Sequence, residues 1–334
     1  MNTVNDTNNY FKYKNILVTG ATGFIGVNLI RRLLSLNISN IRATIYRNQP
    51  VIFDDRIEYI KCDLLKMEDC RKIVDGMDYV FMCAANTSGA AVIASTPLVH
   101  VTPNIIMNSQ MLDASYSARV EKFIFISSNA AYPPSGNRYV KEDEMFNGDP
   151  YDTYFGVGWM KRYTEILCKL YSEKLKNPMK TVIVRPSNIY GPYDDFDFAT
   201  SHVMAATIRK IIERHNPIEV WGDGNDIRDL IYIDDFIDGL LLATEKMDDY
   251  KYDPINIAYG KGYSIKEILQ MILEIDGYND AKIIYDSSKP SMIPIRLIDI
   301  EKAEELLGFR PKTDIRKGIK KTIDWYKKTY CIGE

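Results

Sequence analysis

Thr19-Gly20-Ala21-Thr22-Gly23-Phe24-Ile25-Gly26 joins a short apolar run, residues 15–19 (NILVT), to an amphipathic stretch, residues 24–36. A β-rich run that ends in glycines and passes at once into a helical pattern reads as strand, turn and helix. Glycine at these three places has a physical reason. The turn is tight, the helix must pack close to the strand, and the backbone must approach a ligand with no Cβ in the way. The first helical amides, those of Phe24, Ile25 and Gly26, have no partner inside the helix and carry the positive end of its dipole. A pyrophosphate suits that place. Gly20, Gly23 and Gly26 therefore point to a bound dinucleotide.

Outward from this unit the chain keeps alternating. Residues 41–46, 57–61, 79–83, 123–127 and 181–185 read as strands; 67–75, 102–117 and 154–174 read as helices. That rhythm predicts βαβ units and a doubly wound parallel sheet of the Rossmann type. After Arg185 it breaks at Pro186, Gly191 and Pro192, and an acidic-aromatic loop (YDDFDF) follows. Helices at 202–214, 265–275, 300–307 and 315–326, and a strand at 219–221, belong to a smaller C-terminal lobe. The expected division is a polar tail at 1–13 and a dinucleotide-binding domain at 14–185, with 228–258 returning to it. Residues 186–227 and 259–330 form the substrate lobe.

Bulk properties limit the function. Of 334 residues, 46% are hydrophobic and 26% charged, the share of a globular chain with a large core. A net charge of −3 speaks against nucleic acid and against an anionic membrane surface as partners. No apolar run is long enough to span a bilayer, and the Asn-rich start lacks the features of a signal peptide. Five scattered cysteines without CxxC spacing suggest a reducing, cytoplasmic setting. Three histidines without paired spacing give no metal site.

Later motifs, taken with the GxxGxxG spacing, resemble the extended short-chain dehydrogenase/reductases, the nucleotide-sugar epimerases and dehydratases, over nearly the whole chain. They are Asp63-Leu64, Cys83-Ala84-Ala85, Asn104 in a helix, and Ser127-Ser128-Asn129-Ala130-Ala131-Tyr132. Arg185-Pro186-Ser187-Asn188-Ile189-Tyr190-Gly191-Pro192 follows, then Trp221-Gly222-Asp223-Gly224 with Arg228-Asp229, and Leu307-Gly308-Phe309-Arg310-Pro311. The resemblance implies NAD or NADP as cofactor. Asp63 and Leu64 would meet the adenine, Ala84 and Ala85 would lie beside a ribose, and Asn104 would lie near the cofactor. It also implies Ser128 on the reacting sugar oxygen, and a two-fold homodimer built on the helices near 102–117 and 154–174.

Residues 191–204 and the stretch from Val220 to Asp235 resemble the GDP-L-fucose synthase branch, which favours a GDP-linked sugar. Asn188, Ser201, His202, Val220, Arg228 and Arg296 are the substrate-binding candidates. Arg228 is expected at the diphosphate, because a guanidinium suits phosphate. Arg296 is either a second such contact or a surface ion pair.

Two departures bear on mechanism. Ala130 stands where that branch has a Cys acid/base. The family's Tyr-x-x-x-Lys pair, which shares one helix face, has its lysine in Lys161 but Val157 four residues earlier. The proton is then left to Tyr154, Tyr132, His202 or a water held by Ser128 and Lys161. Otherwise the redox step is lost and the protein is a silent binder of dinucleotide and nucleotide sugar. Hydride transfer at sugar C4 is the expected chemistry. After the second strand stand Tyr46 and Arg47 with no acid: an arginine there suits a 2′-phosphate, or stacks on adenine, so NAD and NADP both remain open.

Overall fold

A computed structural model describes residues 10–38, 40–87, 96, 98–289 and 293–331. The N-terminal part alternates as expected. It runs β1 (Ile16–Val18), α1 (Phe24–Ser35), β2 (Ile41–Ile45), β3 (Ile57–Lys61), α2 (Met67–Val74), β4 (Tyr79–Met82), α3 (Leu98–Ser117) and β5 (Lys122–Ile126). A two-residue strand β6 (Tyr139–Val140) precedes α4 (Phe155–Lys169), β7 (Lys180–Pro186) and β8 (Asn188–Tyr190). Next come α5 (Val203–Ile212), β9 (Ile218–Trp221), β10 (Ile227–Tyr232), α6 (Ile233–Lys246), β11 (Ile255–Ile257) and β12 (Gly262–Ser264). The chain closes with α7 (Ile265–Asp276), β13 (Ile283–Asp286), β14 (Ile295–Ile298), α8 (Glu301–Leu307) and α9 (Ile315–Tyr330).

Seven strands form the main sheet in the order β11-β7-β5-β4-β1-β2-β3, and every pairing in it is parallel. β1 lies inside the sheet, between β4 and β2, with all three residues buried, as a strand covered on both faces must. Its side chains divide by the two-residue period. Ile16 and Val18 join a core with α1, α6, α7 and α9, whereas Leu17 joins a second core with Val80, Met111, Phe123 and Ile183. Strand order reverses between β1 and β4, which opens a crevice at the strand C-termini. A second sheet, β12-β10-β14-β6 with β8 beside β10, and a β9–β13 pair make the smaller lobe. The first core runs through both lobes without a break, from Phe81 to Phe196, Leu269 and Tyr326.

Several expectations change. Phe11 is fully buried and edge-on to Tyr79, so residues 10 and 11 are anchored by aromatic packing; residues 1–9 of the expected tail lie outside the described residues. The helix expected at 154–174 stops at Lys169 and turns into one π-turn, Leu170–Lys174. β10 belongs to the smaller sheet, so the returning segment consists of α6 and β11. The sequence pattern does not mark α6 as a helix. Gly239 lies inside it, a residue that weakens helices, and is required there because a Cβ would fall 2.6 Å from Ile257 of β11. Among the described residues no helix is long and apolar enough to cross a membrane.

One buried ion pair locks α4 to the sheet. Arg185 of β7 donates from Nε and Nη2 to Glu165 of α4 at 3.0 and 2.6 Å, and both side chains are sealed from water. Ser127 and Tyr252 add hydroxyl donors to the same carboxylate at 2.5 and 2.8 Å. Arg185→Met would leave that carboxylate buried without its counter-charge and is expected to cost about 3–5 kcal/mol in urea unfolding. A loss under ~1 kcal/mol, the scale of an exposed pair, would contradict this account of the pair.

Candidate active site

The crevice is built where strands β1, β2 and β4 end. Thr19 Oγ1 accepts from the amides of Cys83 and Ala84, both at 3.1 Å. Thr44 Oγ1 accepts from Gly20 N at 3.0 Å. These bonds fix the glycine turn against its neighbours on both sides. Gly20 has φ +63°, and a Cβ on it would fall 2.7 Å from Ala84 Cα. A Cβ on Gly26 would fall 2.3 Å from Gly20 O. Gly23 differs: only Gly20 O, at 3.3 Å, stands near its absent Cβ. It caps α1 with no side-chain acceptor for the first helical amides, those of Phe24, Ile25 and Gly26. A cradle that tight on two glycines, open at the third and uncapped at the helix start fits a pyrophosphate.

The adenosine side is less complete. Arg47 rests over the Tyr46 ring at 5.2 Å, and both are exposed. Asp63 Oδ1 accepts from Leu65 N at 3.1 Å, and Leu64 is buried. Ala84 is half-buried and Ala85 exposed on the loop after β4. Asn104 does not point freely into the cleft. It clamps that loop, accepting from Asn86 N at 2.8 Å and donating to Asn86 O at 2.9 Å and to His100 O at 2.8 Å.

At the end of β5, Ser128 caps a 3₁₀ turn, Asn129–Ala131, and its Oγ accepts from Ala130 N at 3.1 Å. Its hydroxyl proton is still available to a ligand oxygen. Lys161, one turn before Glu165 on α4, donates to Ile126 O at 2.8 Å and sits 4.9 Å over Phe125. Burial pulls its pKa down to about 8, against a small upward push from Glu165. Val157 is in the turn before it, within regular helix. Tyr154 lies outside that helix as its N-cap. Burial raises its pKa, and the charges that act on it are those of Arg228, Arg296 and Asp226.

The facing wall belongs to the smaller lobe. Arg228 on β10 and Arg296 on β14 are register partners. Arg228 is bonded to Asp226 at 3.0 Å and to the carbonyls of Ile227 and Ile293. Arg296 is 1% exposed and donates to the carbonyls of Tyr132 and Pro133 at 3.1 and 3.0 Å, and its Nε has no partner among the described residues. The expectation of a surface ion pair at Arg296 fails, because this guanidinium is interior and straps the lobe to the loop after Ser128. Burial pulls its pKa down to about 10. Val220 has its side chain in the core, which leaves only its backbone to meet a ligand. Asn188 accepts from Asn129 at 3.4 Å. Ser201 has a buried Oγ without a partner among the described residues. His202 stands at the N-cap of α5 without a side-chain cap bond; the residue is exposed, yet desolvation lowers its pKa against the nearby charge of Asp195.

The sequence profile of the NAD dependent epimerase/dehydratase family matches residues 16–258. The chain belongs to that family. Among curated proteins it is 30% identical to a GDP-mannose 3,5-epimerase of rice, over 93% of this chain and 81% of that one. It is 27% identical to a probable GDP-L-fucose synthase of rice, over 93% and 91%. A solved UDP-glucuronic acid 4-epimerase of Bacillus cereus, in complex with a fluorinated UDP-sugar and NAD, superposes with a TM-score of 0.83. Its identity is 28%, over 94% of this chain and 99% of that one.

Within this epimerase/dehydratase, sequence reasoning gave Arg185 and Glu165 no role. The signal was present: a lone arginine in an otherwise apolar buried strand must find a carboxylate. Tyr132, a candidate for the proton, is instead spent inside the protein, donating to Asn256 at 2.7 Å and accepting from Arg185 at 3.0 Å.

Gly23→Val is expected to fold, since only one carbonyl must give, yet to lose dinucleotide binding by calorimetry. Gly26→Ala is expected to lose about 1–3 kcal/mol of stability by overpacking. Unchanged dinucleotide affinity in Gly23→Val would remove this turn from the cofactor site.

Proposed function

We propose that the protein is an NAD(P)-dependent oxidoreductase or epimerase acting on a nucleotide-activated sugar, with the sugar GDP-linked and reacting at C4. What supports this reading is that Lys161 bonds the Ile126 carbonyl at the end of β5, two residues before Ser128, on the same sheet whose first strand leads into the glycine turn. A nicotinamide bound along the crevice supplies hydride acceptance and donation. The protein's part is to hold and orient. Ser128 donates to the sugar oxygen, and Lys161 holds the nicotinamide ribose beside it. Arg228, already half-neutralised by Asp226, turns its remaining donor capacity to the diphosphate. Tyr154, at the start of α4 and within the field of Arg228 and Arg296, would close the site over the sugar. His202 and Ser201 line the far end.

The GDP preference is supported by residues 191–204 and by the GDP-sugar names of the two rice relatives. The UDP-bound structural neighbour keeps UDP as the competing ligand to test. Val157 favours a second reading, a silent binder of the same two ligands. The five cysteines are all free, three of them buried, which suits the reducing cytoplasm. Phe155, Trp159, Tyr163, Ile166 and Leu170 form a stripe along α4 and its π-turn, each between 39 and 50% exposed. Steps of three and four put them on one helix face, and such a patch needs a cover. A homodimer through α3 and α4 supplies it.

Two outcomes follow. Among GDP, UDP, dTDP and CDP, GDP should raise the melting temperature most, because a ligand of the folded state alone stabilises it; a larger rise with UDP would refute the base assignment. Light scattering should show a dimer, and Tyr163→Asp with Ile166→Asp should give a folded monomer. A parent protein that is monomeric at micromolar concentration would contradict the dimer.

A further inference from the structure

Oxidation of a sugar carbinol needs a group that accepts its hydroxyl proton. The structure gives each candidate a definite place. Tyr132 is fully buried and saturated by Asn256 and Arg185. Tyr154 is seven residues before Lys161, about 10 Å along the helix axis, and sits among the charges of the lobe wall. No irregularity in α4 brings it closer: the helix is regular from Phe155. His202 is on the lobe, beside Asp195.

Lys161 is placed otherwise. Its Nζ is anchored on the Ile126 carbonyl at 2.8 Å, two residues before Ser128, and the apolar side chain of Val157 is one turn away on the same helix. No carboxylate forms a salt bridge with it among the described residues. Glu165, its nearest acid, is committed to Arg185, Ser127 and Tyr252.

We propose that the Lys161 amine itself exchanges the substrate proton, in the role that a tyrosine at position 157 would otherwise fill. This rests on the functional reading above. In the oxidative direction a bound nicotinamide would supply acceptance of the carbinol hydride. The O–H proton passes to the neutral amine, which leaves a carbonyl held by Ser128 and an ammonium on Lys161. Reduction returns both. Glu165, on the helix itself, is the charge that acts on the amine; Arg185 from β7 is bonded to that carboxylate, and the neighbouring Arg162, within the field of Asp149, turns away to the Ala131 carbonyl and the Trp159 ring. The α3 side is neutral at this level, with Asn108 donating to Thr164. Burial holds the amine at about 8, so it is neutral in a useful fraction near physiological pH.

The sign follows. Oxidation requires the neutral amine, so its single-turnover rate rises with pH and levels above about 8. Lys161→Arg keeps a cation able to donate to Ile126 O and to a ribose, but one that cannot release its proton. Its dinucleotide affinity by calorimetry should stay close to the parent's while the single-turnover rate falls about 10²–10⁴-fold. A purely ribose-holding lysine predicts a small loss shared between affinity and rate, and that result overturns the proposal.

A second measurement needs no sugar. Trace acetylation of the parent across pH, read by mass spectrometry on the Lys161 peptide, should show half-reactivity near 8. A midpoint at the ordinary lysine value of about 10.4 overturns the proposal. If the midpoint is low but no nucleotide sugar changes the parent's bound dinucleotide, the functional reading falls and takes the catalytic role with it.

Discussion

Arg185 and Glu165 face each other out of reach of water, one on a central strand and one on the helix that carries Lys161. Removing two charges from water is costly, and the cost is met only when every donor and acceptor is used. Here they are. Glu165 takes four donors from Arg185, Ser127 and Tyr252, and Arg185 also reaches Tyr132 and the Glu142 carbonyl. Ser127 immediately precedes Ser128, and Glu165 is one turn beyond Lys161. The same pair therefore sets the distance between the strand end that offers a hydroxyl and the helix that offers an amine. A helix free to slide by a fraction of a turn would part them.

The facing wall is held just as firmly. One hydrophobic core runs from the main sheet into the smaller lobe, Asn28 of α1 donates to the Pro192 carbonyl at 2.9 Å, and Arg296 reaches from β14 to the loop behind Ser128. The cleft is in this sense preformed. A dinucleotide and a sugar nucleotide need not draw two loose domains together, and little ordering entropy opposes binding.

Much of this was legible in the residues alone. The glycine turn was legible because tight turns and close backbone approach leave few alternatives to glycine, and the parallel sheet because strand and helix periods alternate over 170 residues or so. Ser128 and Lys161 were expected from their resemblance to family motifs, and the fold brings both to the end of β5. What escaped depends on distant packing. Arg228 and Arg296 have the same residue type and stand side by side in register, yet one is bonded to Asp226 and the other straps its lobe to the Tyr132 and Pro133 carbonyls; only these distant partners distinguish them. Tyr132 and Tyr154 were equivalent candidates until the buried network claimed the first and the helix start displaced the second. Phe11 looked like tail because a single aromatic gives no period. Gly239 hid α6, since its reason lies in a contact with Ile257 across the sheet.

The central claim is that one cleft brings a nicotinamide dinucleotide and a GDP-linked sugar into reaction. The most direct test is the near-ultraviolet absorbance of the dinucleotide-loaded protein on mixing with a panel of GDP- and UDP-hexoses and their 4-keto forms. The account predicts reduction or reoxidation of the bound nicotinamide in a single turnover, fastest with a GDP-sugar. A spectrum unchanged by every member of the panel, from a protein shown to hold both ligands, would contradict it.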